Sequence, residues 1–186
     1  MLKHSHFHDR RFSGDAQRLR SPGRVALLEV DRVVSLCLEG LSVRTVLDVG
    51  TGTGIFAEAF AGTGLEVTGV DANSGLLEAA RRHAPSVRFM EATAEELPFE
   101  ADSFDLVFLG HVLHETDDPL AALREGRRVA RIRVGILEWP YREDEQGPPL
   151  AHRISPETVT RLAESAGYRT VETRRLSHMD FYRLTP

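Results

Sequence analysis

One short stretch, residues 45–56, constrains the fold more than any other part of the chain. It reads TVLDVGTGTGIF: a run rich in apolar residues, three glycines at alternate positions, and the start of a helical pattern. Alternate glycines let the backbone adopt positive φ angles and leave out the Cβ atoms that would hold a ligand away from the chain. The N–H groups at the start of the following helix have no partners within the helix. The stretch therefore predicts a strand, a ligand-binding turn and a helix.

The spacing of the glycines indicates which ligand the turn holds. A dinucleotide-binding turn follows Gly-x-Gly-x-x-Gly, in which the third glycine comes one residue later than Gly54 does here. Asp48 stands just before Gly50, where a carboxylate would repel a pyrophosphate but suits a cationic ligand. A second predicted strand ends at Asp71, whose carboxylate can accept both ribose hydroxyls of a nucleoside. The pattern indicates a nucleoside that carries positive charge.

Four motifs follow one another along the chain. They are residues 46–54 (VLDVGTGTG), 67–71 (VTGVD), 94–99 (AEELPF) and 104–108 (FDLVF). On these residues the chain resembles the class I S-adenosylmethionine-dependent methyltransferases, especially the small-molecule branch that includes the ubiquinone and menaquinone methylases. The resemblance covers roughly residues 44–129. It implies S-adenosylmethionine (SAM) as the cofactor, S-adenosylhomocysteine as its product, and transfer of a methyl group to a small-molecule acceptor.

The resemblance also implies which residues bind the cofactor. The expected contacts come from Asp48, Gly50, Thr51, Gly52, Gly54, Asp71, Ala72, Thr93, Ala94, Glu95 and Gly110. The glycines would admit the methionine moiety, Asp48 would support its ammonium group directly or through water, and Asp71 would hold the ribose. The family commonly has an Asp before the position of Ala94. Thr93 departs from that pattern, which weakens one adenine contact or shifts it to Glu95.

The candidates for catalysis lie in residues 110–115, which follow the fourth predicted strand. Methyl transfer from a sulfonium is an in-line displacement, so aligning the acceptor with the methyl group can supply most of the catalysis. A general base is needed only if the acceptor must lose a proton. His111 is the first candidate, because histidine titrates near neutral pH, and His114 and Glu115 come after it. Alternatively, His111 packs against the methionine moiety and His114 caps or lines the next helix.

Aromatic and charged residues follow the fifth predicted strand. Trp139 and Tyr141 could enclose an apolar acceptor or contact the sulfonium through cation–π interactions, or they could be packing at the rim. The charged residues 142–149 form either a solvated loop or a flap over the acceptor. The arginines of residues 124–133 suggest a phosphate-binding patch, but such a run is more typical of a solvated helix face.

Alternation of strand and helix patterns predicts an α/β fold with right-handed crossovers and a parallel sheet. The predicted strands are 45–49, 65–70, 87–90, 104–109, 132–138, 169–176 and 179–184. The resemblance implies a Rossmann-like, doubly wound sheet of order 3-2-1-4-5-7-6 with the last strand antiparallel. The short link Ser177-His178 agrees, because only antiparallel neighbours can be joined by a tight turn. One more helix is predicted from Ser21-Pro22 to residue 38, with Gly40 ending it.

The chain is expected to comprise an arm, residues 1–24, and a SAM-binding domain, residues 25–186. The arm is rich in arginine and has His4, His6 and His8 at alternate positions. These histidines could bind a metal, although a solvated arm is the simpler interpretation, and no metal is required elsewhere. By resemblance the arm could also be a lid over the cofactor, in which Phe12 would become ordered when ligand binds.

Composition narrows the function classes. A chain of 186 residues makes one domain, and its net charge of −5 gives no general attraction to nucleic acid. A single cysteine, Cys37, rules out an intramolecular disulfide and a cysteine-based metal site. No transmembrane run or signal peptide is evident, so we expect a cytoplasmic monomer or homodimer. Two alternatives stay open: a non-catalytic SAM-binding regulatory module, and an NAD-dependent oxidoreductase, which the glycine spacing disfavours.

Overall fold

The apolar runs of the chain form the strands of a single sheet in a computed structural model that describes residues 16–186. The strands are β1 (Thr45–Val49), β2 (Glu66–Asp71), β3 (Arg88–Glu91), β4 (Phe104–Gly110), β5 (Ala130–Glu138), β6 (Thr170–Arg175) and β7 (Asp180–Thr185). The α-helices are α1 (Ala16–Leu19), α2 (Pro22–Leu28), α3 (Val30–Leu38), α4 (Ile55–Gly62), α5 (Ser74–His83), α6 (Pro119–Val129) and α7 (Pro156–Ser165). A short 3₁₀ helix, Leu150–His152, precedes α7. The predictions for His4, His6, His8 and Phe12 lie outside the described residues.

The order of the strands in the sheet is β3-β2-β1-β4-β5-β7-β6. Strands β1 to β5 pair in parallel, whereas β7 is antiparallel to both β5 and β6. The predicted fold class, strand order and antiparallel last strand are confirmed. In a sheet of this kind the winding direction reverses between β1 and β4, and ligands bind outside the carboxyl ends of the strands at that point.

The central strands are buried because helices cover both faces of the sheet. Side chains alternate across a strand, so Val107 and Leu109 of β4 face one core while Leu106 and Phe108 face the other. The first core is completed by α6 and α7, and the second by α2, α3, α4 and α5. This double coverage explains why β4 reads as a continuous apolar run rather than as an alternating one.

Three helices begin at residues whose side chains cap them. The side chain of Asn73 accepts hydrogen bonds from two backbone N–H groups at the start of α5. Asp118 does the same for α6, and the Ser155 hydroxyl accepts from the N–H of Thr158 in α7. Capping of this kind satisfies N–H groups that have no partner within the helix.

The prediction of one continuous helix from residue 22 to residue 38 is wrong. Glu29 adopts the left-handed conformation, with φ of 46°, and separates α2 from α3. Its Oε1 accepts a hydrogen bond from the Ser177 N–H at 2.7 Å, and its Oε2 accepts one from Arg32 at 2.8 Å. These bonds hold the residue in the break. As a result α3 packs against the sheet, while α2 lies nearer the carboxyl ends of the strands.

The arginine run of residues 124–133 is mostly structural. Arg128 pairs with Glu125 and donates to the carbonyl groups of Leu97 and Phe99. Arg133 donates to the carbonyl groups of Cys37 and Glu39. These guanidinium groups hold loops and helix ends in place, an arrangement that gives no support to a phosphate-binding patch.

Candidate active site

A cavity of about 460 Å³ opens at the carboxyl ends of the parallel strands. Ten of the predicted site residues line it: Gly50, Thr51, Gly52, Asp71, Ala72, Thr93, Ala94, Glu95, Gly110 and His111. The remaining three, Asp48, Gly54 and His114, do not line it. The structure therefore brings most of the predicted site residues together from separate loops at one edge of the sheet.

The glycine turn is shaped by close packing. Gly50, Gly52 and Gly54 have φ angles of 66°, 54° and 79°, which L-residues with a Cβ atom rarely adopt. A Cβ atom on Gly50 would lie 2.1 Å from Cγ2 of Val112, so this glycine also permits close approach of the loop after β4. Gly54 instead packs against Ala80 of α5, where an added Cβ would lie 3.1 Å from the Ala80 Cβ. The third glycine thus serves helix packing rather than the cavity.

Asp48 lies beneath the turn. Its carboxylate is buried and accepts a hydrogen bond of 2.6 Å from the Thr51 hydroxyl, and a further bond from the backbone of Ala57. Burial raises the pKa of Asp48 to about 7, although these hydrogen bonds act in the opposite direction. In the described structure this side chain braces the turn against the start of α4.

Asp71 joins the turn to the end of β2. Its Oδ2 accepts a hydrogen bond from the Gly52 N–H, and its Oδ1 accepts one from the Asn73 N–H, both at 2.8 Å. The residue also lines the cavity. A carboxylate offers about four lone-pair sites, so one that orders the turn can also accept hydrogen bonds from ribose hydroxyls. The position fits the role that the sequence predicts.

The loop after β3 forms the end of the cavity expected to hold adenine. Thr93 and Ala94 line this end, beside the apolar side chains of Leu76 and Ala92. The Oε1 atom of Glu95 accepts a hydrogen bond from the Asp117 N–H at 3.0 Å. That bond ties the loop after β3 to the segment before α6 and fixes the position of the Glu95 carboxylate at the cavity wall.

His111 occupies a strained position at the end of β4. Its φ angle is 59°, and its N–H donates to the Leu137 carbonyl at 2.8 Å. The imidazole is buried, and neither ring nitrogen has a hydrogen-bond partner within residues 16–186. Burial lowers the pKa of His111 to about 3, so the ring is neutral near pH 7. A base with such a pKa is weak at neutral pH, which makes His111 better suited to hydrogen bonding than to proton abstraction.

His114 forms a buried pair with Glu138 behind the cavity wall. Its Nδ1 lies 2.8 Å from Oε2 of Glu138. Burial alone would lower the pKa of His114, but the Glu138 carboxylate outweighs burial and raises this pKa above its ordinary value. The same pairing holds the pKa of Glu138 below its usual range despite its burial. His114 is therefore a structural partner of Glu138 that does not line the cavity, although its ring lies 6.3 Å from the ring of His111.

Trp139 supports the cavity wall from outside. Its ring is buried and lies 5.0 Å from the ring of His111, whereas Tyr141 is exposed. Arg153 stacks on Trp139 and donates hydrogen bonds to four carbonyl groups in and around the charged loop after β5. These bonds anchor residues 142–149 in the described structure, so the structure gives no support to their acting as a flap.

Two kinds of feature are absent from the described part of the chain. Residues 16–186 contain no group of three or more His, Cys, Asp or Glu side chains that could hold a metal ion. Within the same residues, no helix combines the length and the apolar character that crossing a membrane requires.

Comparison with known proteins finds similarity to methyltransferases over part of the chain. Residues 47–134 match the family model described as a methyltransferase domain. Over these residues the chain is similar to a methyltransferase domain. Among solved structures, a SAM-dependent methyltransferase from Aquifex aeolicus superposes on it with a TM-score of 0.79 and 24% identity, over 92% of this chain and 98% of that one.

Curated relatives match the methyltransferase domain more closely in sequence. A demethylmenaquinone methyltransferase from Renibacterium salmoninarum is 38% identical over 103 residues, which are 55% of this chain and 44% of the relative. A ubiquinone biosynthesis O-methyltransferase from Alkalilimnicola ehrlichii is 40% identical over 106 residues, or 53% and 42% of the two chains. The matches thus span less than half the length of these relatives.

Several residues that line the cavity of the methyltransferase domain were not predicted. Leu19, Arg24 and Leu28 reach it from α1 and α2, and Thr116 reaches it from the loop after β4. No motif identifies the first three, because their place in the site depends on how α1 and α2 fold over the strand ends. Thr116 follows directly after the predicted segment 110–115, so extending that segment by one residue would have included it.

Proposed function

We propose that this chain transfers a methyl group from SAM to a small molecule. The observation that carries the proposal is one cavity that the glycine turn, Asp71 and His111 line together. Gly50 and Gly52 would accommodate the methionine moiety, Asp71 would accept the ribose hydroxyls, and Thr93 and Ala94 would flank the adenine. SAM supplies the methyl group when bound.

The part that the protein plays in the reaction would be mainly positional. Aligning two reacting atoms can supply a large share of the rate enhancement in a displacement. His111 would orient the acceptor through its neutral imidazole, because its low pKa makes it a poor base at neutral pH. His114 would hold its place through Glu138 and contribute no proton transfer. The Asp48 carboxylate would support the ammonium end of the cofactor indirectly, by bracing Thr51.

We propose an aromatic acceptor related to quinols. The names of the relatives motivate this choice, since they methylate demethylmenaquinone or an intermediate of ubiquinone biosynthesis. Apolar side chains of Leu28, Phe56 and Val112 on the cavity wall support it. The net charge of −5 supports a small molecule over a nucleic acid, whose binding depends on lysine and arginine neutralising phosphates.

Turnover tests the proposal against a non-catalytic SAM-binding module. The purified chain is incubated with SAM and a panel of reduced quinones, catechols and phenols, and the reaction is followed by mass spectrometry. We expect S-adenosylhomocysteine to accumulate together with a methylated product. This product should be about 14 Da heavier than one of the acceptors, the mass of one CH₂ unit. SAM binding without turnover of any acceptor would favour the regulatory module.

A further inference from the structure

Two arginines stack on the same tryptophan ring but differ in what their guanidinium groups bind. The central carbon atoms of Arg24 and Arg153 each lie 5.6 Å from the centre of the Trp139 ring. Arg153 donates hydrogen bonds to four backbone carbonyl groups. Arg24 makes no hydrogen bond and no ion pair within residues 16–186, and it lines the cavity. The first arginine is therefore structural, whereas the second has its donors available to a ligand.

A second polar group beside Arg24 also lacks a partner. His111 packs against the same Trp139 ring, lines the same cavity, and has two buried ring nitrogens with no hydrogen bond in the described part of the chain. Buried polar groups are almost always hydrogen-bonded, and each exception calls for an explanation. The low pKa of His111 arises mainly from burial, with the charge of Arg24 among the other causes, so the two side chains are close enough to interact.

Among the described residues, no carboxylate forms an ion pair with the guanidinium group of Arg24. Glu115 lies on the same wall and counteracts the effect of burial on the pKa of Arg24, but no ion pair joins Glu115 to Arg24 among the described residues. The charge of Glu138 is engaged by His114. A half-buried guanidinium without an ion pair or hydrogen bond is costly, unless a ligand supplies the missing anion.

We infer that Arg24 and His111 form a subsite for an anionic oxygen of the methyl acceptor, a carboxylate or a phenolate. Arg24 supplies the charge and its fork of N–H donors, which matches such oxygens. His111 supplies one further N–H, and Trp139 keeps both side chains at the cavity wall. The inference rests on the proposed function and narrows its substrate class. An acceptor that binds as an anion needs no general base, which accounts for a buried neutral histidine at this position.

The single tryptophan of the chain makes the subsite directly observable. Trp139 is the only tryptophan among the 186 residues, so intrinsic fluorescence reports on the ring against which both side chains pack. The probes are benzoate and benzamide, which have nearly the same shape but differ in charge. Each is titrated into protein saturated with S-adenosylhomocysteine, and the affinity of each variant for S-adenosylhomocysteine is measured separately by calorimetry.

We expect benzoate to bind the wild-type complex at least about tenfold more tightly than benzamide, on the scale of a charge-assisted hydrogen bond. Arg24→Gln should abolish this preference while leaving the affinity for S-adenosylhomocysteine within about twofold. His111→Phe keeps an aromatic ring but removes the N–H donor, and it should weaken the binding of benzoate by about threefold. Arg174→Gln is the matched control, because Arg174 is an exposed arginine on β6 and should change neither measurement.

Each other outcome overturns the inference. Equal affinities for the two probes, no benzoate binding at millimolar concentration, or an unchanged preference in Arg24→Gln would exclude an anion subsite at Arg24. If Arg24→Gln weakened S-adenosylhomocysteine by tenfold or more, the anion would be the carboxylate of the cofactor and the assignment to the acceptor would be wrong. Failure of the wild type to bind S-adenosylhomocysteine would instead contradict the proposed function itself.

Discussion

Asp71 illustrates how one side chain can link the fold to the ligand. Its two carboxylate oxygens accept hydrogen bonds from Gly52 in the turn and from Asn73 at the start of α5. The same carboxylate lies on the cavity wall, where the resemblance places the ribose. A single substitution therefore affects both the shape of the turn and the expected contact with the nucleoside.

Asp71→Ala should weaken SAM binding by about 10- to 100-fold, because hydrogen bonds to a charged group contribute about 1.5–3 kcal/mol. Calorimetric titration measures this change. Glu91→Ala is the control, since Glu91 is the register partner of Asp71 on β3 but is exposed and does not line the cavity. An affinity that Asp71→Ala leaves unchanged would remove Asp71 from the site.

Asp48 should make stability depend on pH in a defined direction. Burial raises its pKa from 3.8 to about 7, so the folded state holds this proton more tightly than the unfolded state does. The stability that belongs to protonated Asp48 is fully present below about pH 4 and is lost as the pH rises through about 7. Asn cannot ionise, so Asp48→Asn should be the more stable protein at pH 8.

We expect the advantage of Asp48→Asn to be about 2–4 kcal/mol at pH 8 and to shrink towards pH 4. Urea unfolding of both proteins at the two pH values measures it, and groups that titrate equally in both proteins cancel in the difference. A difference that did not vary with pH would show that Asp48 is not held in this buried state. Affinity for SAM in the variant tests separately whether Asp48 is needed at the ammonium end of the cofactor.

At the scale of elements, the glycine turn combines two separate constraints. Gly50 needs a positive φ angle and has no room for a Cβ atom, because Val112 lies too close. Gly64, after α4, has a φ angle of 85° but no atom within 4 Å of an added Cβ. Comparing the two positions separates the cost of the backbone conformation from the cost of the clash.

Gly64→Ala should destabilise the protein by about 1 kcal/mol, the cost of a left-handed conformation for an L-residue. Gly50→Ala should cost about 2–5 kcal/mol, because displacement of Val112 adds an overpacking penalty. Urea unfolding at one pH gives both values. If the two substitutions lowered the free energy of unfolding equally, the turn would not approach the loop after β4 as closely as the structure shows.

Elements whose signals are local could be predicted from the sequence, and those that depend on distant partners could not. The starts of α5, α6 and α7 follow from Asn73, Asp118 and Ser155, because a cap acts on N–H groups two or three residues away. The break between α2 and α3 was missed, because Glu29 is held by Ser177, which lies 148 residues further along the chain. The apolar pattern alone reads through the break.

At the scale of the whole molecule, the segment before the sheet takes part in the site. Arg20 donates hydrogen bonds to the carbonyl of Thr53 and pairs with Glu58 at 2.8 Å, which joins this segment to the glycine turn and to α4. Leu19 and Arg24, on either side of Arg20, line the cavity. The division into an arm and a domain at residue 24 stays a prediction, and these contacts favour a role in ligand binding for residues 16–24.

Arg20→Ala should weaken SAM binding by about three- to tenfold, because losing these hydrogen bonds loosens the segment that covers the cavity. Calorimetry measures the affinity, and amide hydrogen exchange shows whether α2 opens more often. Arg18→Ala is the control, since Arg18 is exposed on the same segment and makes none of these contacts. Equal affinities of the two variants for SAM would limit the segment to a structural role.

The topology of the sheet could be predicted from the sequence, whereas only some residues of the site could. The strand order came from the family resemblance that four motifs near the strands carry, and this order placed Gly50, Asp71 and His111 at one edge of the sheet. Arg24 could not be placed there, because neither its spacing nor any motif links it to Trp139. The position of Arg24 in the site depends on how α2 folds over the strand ends.

Calorimetric titration of the wild-type protein with SAM, S-adenosylhomocysteine and NAD tests the central claim most directly. Mass spectrometry of the purified protein comes first, to detect any nucleoside that was purified with it. The glycine spacing of the turn and the buried Asp48 beneath it predict micromolar or tighter binding of both adenosyl ligands and no binding of NAD. Binding of NAD, or failure of both adenosyl ligands to bind, would contradict the assignment of this cavity to SAM.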